Sequence, residues 1–432
     1  MFLHVSADNR KLQTWLLDNF HGTNSENPTT RYSQCISYCL QVQQRKEKQK
    51  KKMASLARIP LVTGLLLHST TTYAFAPLAA SRNAVHQSSH ALKLSSSSTS
   101  IDGIETDLKS LGMTQGLCDA LVRDSIETHQ RFWIMDNSGS MSNPDGIRYV
   151  QSSANDASLF PCTRWKELQE TAIYHSQLAG FLQVPTEFQF LNSPGPFQKS
   201  FVVKNQNDAL KAQQTIQRAE PIGATPLTSA VNGVRKKIEG MLPKITKTGT
   251  RVSLVIATDG LPTDTMGYGG EEENMKFGKA LGSLAGLPVS TVIRLCTDDE
   301  QVVKFYNSLD GKLELSIDVL DDFVGEAKEV YSNNKWLTYG LPLHRFREGG
   351  FRCRLADLLD ERKLTKDELR EFTAFMFGES LAFDGLPDPQ VDWDGFQKAL
   401  HRLQAGEDKV YNPISKKMMP WIQLPAMGAL TF

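Results

Sequence analysis

Five side chains with oxygen donors stand where a fold could gather them around one cation. Asp136, Ser138 and Ser140 follow the apolar run FWIM at alternate positions. Thr225 lies in the segment PIGATPLTSA, and Asp259 follows the mostly apolar run LVIAT. Carboxylates and hydroxyls are hard oxygen donors, which suit Mg²⁺, Mn²⁺ or Ca²⁺ better than Zn²⁺. The five residues are therefore candidate ligands of a single divalent cation.

The segments around these residues alternate between strand and helix patterns. Apolar runs bounded by turn residues predict strands, at RFWIMD and at 187–192, 200–205, 251–260, 288–296 and 313–320. Apolar residues at helical spacing predict helices, at 163–183, 226–242, about 271–285, about 299–309 and about 321–332. Because the main strands are apolar on both sides, we expect an α/β fold with a doubly wound, mostly parallel sheet covered by helices on both faces.

Such a sheet would bring the five residues to one edge. Ligands of open α/β sheets bind beyond the carboxyl ends of the strands, and Asp136 and Asp259 each follow a predicted strand. Thr225 precedes Pro226 at a predicted helix start, which combines the N-cap and first-turn preferences of these residue types. The simpler alternative is that Asp136 caps a turn and that the two serines satisfy backbone groups.

The set of five, in this order, resembles the metal-ion-dependent adhesion site of von Willebrand factor A (VWA) domains. The resemblance rests on the pattern D-x-S-x-S after a strand, then G-x-T-P-L, then T-D-G after an apolar strand. The resemblance covers about residues 128–335 and implies a Rossmann-like VWA fold that binds Mg²⁺, with Mn²⁺ as the other candidate.

The resemblance also implies a role for each residue. Ser138 and Ser140 would bind the cation directly, Thr225 directly or through water, and Asp136 and Asp259 mostly through coordinated waters. The cation would then keep an open coordination position for an Asp or Glu carboxylate of a partner protein. A shift of the helix at about 321–332 on partner binding is a further hypothesis.

We expect a binding module, for example an adaptor or assembly factor, rather than an enzyme. The alternative is an enzyme or enzyme-complex subunit that uses the cation to bind a carboxylate or phosphate. A phosphatase of the haloacid dehalogenase type would need a second aspartate where Ser138 stands, and the sequence has no G-x-x-x-x-G-K-[ST] loop. We find no nucleophile or general base near the five residues and expect His175 to be a surface or half-buried helix residue.

Composition adds limits on partners and compartment. The 48 basic and 48 acidic residues balance, so nothing points to nucleic acid as a partner. The six scattered cysteines do not suggest a disulfide framework, and Cys296 is expected to be a core thiol. No run of 18 apolar residues occurs, so we expect no transmembrane helix in the mature chain.

The N-terminal hundred residues have the composition of targeting sequence. Residues 1–52 are polar, and we expect them to be disordered, or to be an extension of the gene model before a true start at Met53. Residues 53–100 contain an apolar stretch followed by a Ser-rich segment without Asp or Glu, as in signal and transit peptides. The motif AFAP at 74–77 resembles the bipartite plastid leaders of diatoms and related algae. We expect a plastid protein, with secretion as the alternative.

The remaining segments are predicted to be mainly helical. Residues 101–127 form a short helical lead-in, and residues 336–432 form a helical tail suited to partner contact. Thr365-x-x-Glu368 is a capping box. The stretch 384–395 is only a degenerate calcium loop, because it lacks the required glycine and the bidentate glutamate. The acidic stretch at 269–280 is expected to be a helix start; the alternative is a rim that tunes partner choice.

Overall fold

The computed structural model describes residues 101–428, except 154, 196–197, 311–312, 314–316 and 382–384. The described residues belong to one compact unit. The predicted N-terminal disorder, leader and plastid signal in residues 1–100 lie outside the described residues, as does the first aspartate of the degenerate calcium loop. None of the described helices has the length and hydropathy needed to cross a bilayer.

The strands form one central sheet and two small hairpins. Their bounds are β1 (Thr128–Met135), β2 (Gly146–Ser153), β3 (Asp156–Cys162), β4 (Thr186–Phe190), β5 (Ser200–Val203), β6 (Arg251–Thr258), β7 (Val289–Leu295), β8 (Ile317–Leu320), β9 (Val410–Asn412) and β10 (Lys417–Met419). The central sheet has six strands in the order β5-β4-β1-β6-β7-β8, and only the edge strand β5 runs antiparallel to its neighbour. The pairs β2–β3 and β9–β10 are antiparallel.

The helices of the described residues are α1 (Ile101–Ser110), α2 (Gln115–Glu127), α3 (Arg164–Leu182), α4 (Gln206–Arg218), α5 (Leu227–Thr248), α6 (Glu271–Gly282), α7 (Glu300–Asp310), α8 (Phe323–Asn333), α9 (Leu341–Glu348), α10 (Arg354–Glu361), α11 (Lys366–Phe377), α12 (Trp393–Gln404) and α13 (Leu424–Gly428). The predicted fold class, a doubly wound α/β sheet with a mainly helical C-terminal extension, is confirmed. Within the sheet the strands run 3-2-1-4-5-6 in chain order, the order of dinucleotide-binding folds.

The alternation of side chains in β1 shows why both sheet faces are buried. Phe132 and Ile134 point into a core formed with α5, α6 and α7. Trp133 and Met135 point into a second core formed with α3 and α4. Since successive residues of a strand face opposite sides of a sheet, a continuous apolar run is what a strand covered on both faces requires.

The lead-in and the C-terminal helices share a third core. Leu117 and Leu121 of α2 pack in one cluster with Phe346 of α9, Phe372 of α11 and Phe396 of α12. The capping box at the start of α11 is present, with both of its reciprocal hydrogen bonds. The chain segments before and after the doubly wound sheet therefore pack against each other.

One predicted helix boundary is wrong. The helix expected to end at residue 242 continues through Pro243 to Thr248. Ile245 in this last turn is 1% exposed, so the turn is held on the core, and the helix ends at Gly249, which adopts φ +64°. Glycine takes this left-handed conformation without the steric cost that other residues meet.

Candidate divalent-cation site

Asp136 and Asp259 lie at the carboxyl ends of adjacent parallel strands. Met135 is paired with Ala257 across β1 and β6, so the next residues of the two strands leave the sheet side by side. The backbone N–H of Asp136 donates to the carbonyl of Ala257 at 2.9 Å. The strand order reverses between β1 and β6, and this reversal is where ligands of doubly wound sheets bind.

The carboxylate of Asp136 is fully buried and fixed by two donors. One oxygen accepts the backbone N–H of Ser138 at 2.8 Å, and the other accepts the Thr258 hydroxyl at 2.6 Å. Burial, and next the charge of Asp259, raise the pKa of Asp136 to about 6. A cation bound between Asp136 and Asp259 would stabilise the ionised form of both carboxylates, because an opposite charge nearby favours ionisation.

The two predicted serines connect the carboxylates. They lie at the start of a 3₁₀ turn, Gly139–Ser142, and their hydroxyl oxygens are 3.1 Å apart. The Ser140 hydroxyl donates to Oδ1 of Asp259 at 2.8 Å. Asp136, Ser138, Ser140 and Asp259 therefore form one hydrogen-bonded group.

Thr225 lies beside this group on the loop before α5. Its backbone N–H donates to the Thr263 hydroxyl at 2.9 Å, and its carbonyl accepts the Thr263 N–H at 3.0 Å, so the loop is tied to the one that follows Asp259. Its Oγ1 is 3.8 Å from the position of a Cβ added at Gly260. The structure thus places this hydroxyl against the backbone next to Asp259.

The expected capping role of Thr225 is wrong. Helix α5 begins at Leu227, with Pro226 at the cap position and no side-chain hydrogen bond there. The Leu227 N–H donates to the Thr225 backbone carbonyl at 2.8 Å, which serves the helix start in place of the hydroxyl. The side chain of Thr225 is therefore not committed to the helix.

A pair of asparagines holds the loops that carry the candidate ligands. The Asn137 side chain accepts the backbone N–H of Asn192 at 2.8 Å and donates to the Asn192 carbonyl at 3.1 Å. The Asn192 amide also donates to the carbonyl of Ala224 at 2.7 Å. Gly223 has φ +82°, and a Cβ there would lie 2.7 Å from Oδ1 of Asn192, so only glycine fits this approach.

Arg164 is a member of the site that the sequence did not indicate. It is the first residue of α3, and its Nη1 donates to Oδ2 of Asp259 at 2.9 Å. Its Nε and Nη2 donate to the two carboxylate oxygens of Asp145 at 2.6 and 2.5 Å. The unpredicted β2–β3 hairpin fills the chain between Asp145 and Arg164 and returns to the same place, so no short motif could have revealed the contact.

The donor set fits a hard divalent cation. Two carboxylates and three hydroxyls supply oxygen atoms alone, and the hydrogen bonds between Ser140 and Asp259 and between the two serines are ones that a cation bound to these oxygens would replace. The hydrogen-bonded neighbours Thr258 and the Ser138 N–H would still orient Asp136. Asp136, Ser138, Ser140, Thr225 and Asp259 are thus the residues that would hold Mg²⁺ or Mn²⁺.

A second acidic group lies elsewhere and has its own counter-charge. Ligand atoms of Glu326, Glu329 and Asp360 lie within 4.8 Å of one another. Arg347 pairs with Glu326 and also with Asp360, at 3.2 Å. Burial raises the pKa of Glu326, and the charge of Arg347 opposes that rise. Because a buried guanidinium already neutralises part of this cluster, we interpret it as a structural ion-pair network.

His175 is buried, and the expectation of a surface or half-buried residue was wrong. It is 4% exposed because α9 covers this part of α3, and its Nε2 lies 3.2 Å from Oε1 of Glu348. Glu348 is also paired with Arg345 at 2.5 Å, His344 at 3.5 Å and Arg294 at 3.6 Å. Burial lowers the pKa of His175. The histidine belongs to this buried polar network and not to the candidate cation site.

Comparisons with known proteins give partial matches. No family model matches the sequence, and no curated protein matches it. Solved structures that match in part include a mutant of the PilB minor pilin from Streptococcus sanguinis and the manganese-loaded TRAP protein of Plasmodium vivax. The pilin match has 13% identity and a TM-score of 0.31 and covers 45% of this chain and 57% of the pilin. The TRAP match has 14% identity and a TM-score of 0.28 and covers 47% of this chain and 72% of that protein.

Proposed function

We propose that this protein is a divalent-cation-dependent protein-interaction module. Asp136, Ser138, Ser140, Thr225 and Asp259 hold Mg²⁺ or Mn²⁺, and an Asp or Glu carboxylate of the partner completes the coordination. The observation that carries the proposal is the hydrogen-bonded group at the carboxyl ends of β1 and β6, with the Thr225 loop tied beside it.

The choice of donors explains why such a cation would attract an acidic partner. Asp136 already accepts two hydrogen bonds, and one oxygen of Asp259 is paired with Arg164. The carboxylates therefore have limited capacity to bind a cation directly, whereas the serine hydroxyls are neutral. A cation bound mainly through neutral oxygens keeps much of its charge, and an incoming carboxylate is then the favoured additional ligand.

The alternative, an enzyme or enzyme-complex subunit, would use the same cation to hold a carboxylate or phosphate substrate. A catalytic role would need a nucleophile or general base beside the cation, and we assign none of the described residues to that role. A binding role is therefore the better-supported proposal. The leader composition makes a plastid the proposed compartment, with secretion as the alternative.

Affinity capture tests the proposal. The full chain serves as bait in plastid extract, in Mg²⁺ and in excess EDTA, with Asp136→Asn alongside. Asp408→Asn, which changes an exposed aspartate in the C-terminal region, is the matched control. A partner that is retained by the wild type and by the control in Mg²⁺, and lost in EDTA and in Asp136→Asn, is the expected result. A partner held equally under all four conditions would refute cation-dependent binding.

A further inference from the structure

Arg164 presents two separate edges to two different carboxylates. Its Nη1 reaches Oδ2 of Asp259 at 2.9 Å, inside the candidate cation site. Its Nε and Nη2 form the opposite edge, which grips Asp145 with two parallel hydrogen bonds of 2.6 and 2.5 Å. Paired donors of this kind match the two oxygens of a carboxylate, which is why arginine is the preferred residue for such recognition.

The two contacts differ in exposure. The side chain of Asp259 is 0% exposed, and that of Arg164 is 12% exposed. The side chain of Asp145 is 56% exposed and approaches the arginine from the solvent side. The inner contact is therefore fixed by the fold, whereas the outer carboxylate belongs to a surface loop and can be exchanged.

The arginine itself is held in place for this task. Its backbone N–H donates to the carbonyl of Asn143 at 3.0 Å, and the Asn143 N–H donates to the carbonyl of Ser140 at 2.9 Å. The backbone of Arg164 is thus anchored to the same turn that carries the candidate cation ligands, and Asp259 holds the Nη1 end of its guanidinium. If Asp145 leaves, the Nε–Nη2 edge remains oriented toward solvent beside the cation site.

We propose that Arg164 is a second anchor for the partner, and that Asp145 occupies it in the free protein as an internal substitute for a partner carboxylate. The proposal rests on the proposed function and deepens it. A carboxylate on the Nε–Nη2 edge lies across the guanidinium from Asp259, so it is not the group that fills the cation's open position. The partner segment is therefore one with two acidic groups, one for the cation and one for Arg164.

Exchange of one carboxylate for another at this edge conserves both hydrogen bonds and the ion pair. Because the incoming carboxylate replaces these contacts one for one, displacing Asp145 is a small obstacle. Removing the competing charge of Asp145 should strengthen binding of a diacidic segment by about two- to fivefold, the range that corresponds to an ion pair at the protein surface. A monoacidic segment should gain less, because its single carboxylate cannot bind the cation and the vacated edge at once, and a neutral segment should gain nothing.

Three short peptides probe this directly with the full chain loaded with Mn²⁺. The diacid is acetyl-Gly-Asp-Gly-Asp-Gly-amide, and the two monoacids replace either aspartate by asparagine. Broadening of the peptide proton signals by the bound Mn²⁺ reports binding near the site, and Mn²⁺ affinity is measured separately for each variant. The variants are Asp145→Asn, which removes the competing charge and one of the two acceptor oxygens, and Arg164→Lys, which keeps the positive charge but loses the paired donors.

The expected result has three parts. The wild type binds the diacid more tightly than either monoacid, Asp145→Asn raises the affinity for the diacid more than that for either monoacid, and Arg164→Lys removes the preference while Mn²⁺ affinity changes little. Equal binding of all peptides by the wild type and Asp145→Asn would overturn the second anchor and leave the proposed function standing. An Arg164→Lys protein with altered Mn²⁺ affinity and an unchanged diacid preference would overturn it too, since Arg164 would then act only on the cation. A wild-type protein that binds no Mn²⁺ would refute the proposed function itself.

Discussion

Replacing Asp136 by asparagine should stabilise the metal-free protein and abolish its stabilisation by metal. Asparagine keeps the shape of the side chain, its oxygen can accept the Ser138 N–H, and its amide can donate to the Thr258 hydroxyl. The variant removes only the buried charge. The loss of stabilisation by metal separates a cation ligand from a buried aspartate that binds no metal, because substituting the latter would change stability equally in EDTA and in Mg²⁺.

The size of the first effect follows from the pKa of Asp136, which burial and Asp259 raise from 3.8 to about 6. A carboxyl group whose pKa is higher in the folded state binds more protons there, so stability falls as pH rises from the unfolded value to the folded value. Above pH 6 the metal-free fold is destabilised by the full free energy of ionising the buried Asp136, on the order of 2–3 kcal/mol at about 1.4 kcal/mol per pKa unit. We expect the variant to regain up to about 2 kcal/mol of this in EDTA at pH 7.5, and less at pH 4.5.

The second effect follows from linkage. A ligand present at 10 to 100 times its dissociation constant stabilises the fold that binds it by about 1.4–2.7 kcal/mol. The assay is urea unfolding of both proteins in EDTA and in Mg²⁺ at 10 or more times its dissociation constant for the wild type. With a typical slope of about 1–3 kcal/mol per molar urea, a change of about 2 kcal/mol moves the midpoint by roughly 0.7 M or more. Two results would refute the reasoning: a variant clearly less stable than wild type in EDTA, or equal stabilisation of both proteins by Mg²⁺.

Three further predictions concern the scaffold. Glu348→Ala should cost about 3–5 kcal/mol in thermal unfolding, because it removes the carboxylate that pairs with the buried Arg345 and also contacts Arg294, and Glu348→Gln should cost less. Asp357→Asn should stabilise the protein increasingly as pH rises from about 4 to 7, by up to about 2 kcal/mol. Burial raises the pKa of Asp357 to about 7, so the ionised carboxylate costs stability above its unfolded pKa, and the substitution removes that cost. A benefit that does not change with pH would contradict this. Gly350→Ala should destabilise more than Gly249→Ala in urea unfolding. Both have positive φ, but an added Cβ meets the Ser253 hydroxyl at 2.3 Å in the first case and nothing within 4 Å in the second.

The fold could be predicted from sequence because its signals are local. The continuous apolar runs of β1 and β6 indicate strands buried on both faces, and parallel strands necessarily bring their carboxyl ends to one edge. Asp136 and Asp259 could therefore be expected to lie together from their positions in the sequence, and they do lie at adjacent strand ends. Their role as cation ligands stays a prediction.

What could not be predicted depends on contacts between distant segments. The β2–β3 hairpin has little apolar alternation, and its residues are mostly exposed or half-buried, so its strands carry a weak signal. Arg164 reaches Asp259 only because that hairpin returns the chain beside the 3₁₀ turn. His175 packs against Trp133 of β1 on one side and contacts Glu348 of α9, far along the chain, on the other. Sequence periodicity describes one helix or strand at a time and does not report which distant segment covers it.

Direct measurement of Mn²⁺ binding tests the central claim. Electron paramagnetic resonance distinguishes free from bound Mn²⁺, and the full chain is titrated as wild type, Asp136→Asn, Asp259→Asn and the control Asp408→Asn, with Mg²⁺ added at the end as competitor. We expect one Mn²⁺ bound per chain in the wild type and the control, displaced by Mg²⁺ and lost in both site variants. Absence of stoichiometric binding in the wild type, or binding that survives both site substitutions, would contradict a cation held between β1 and β6.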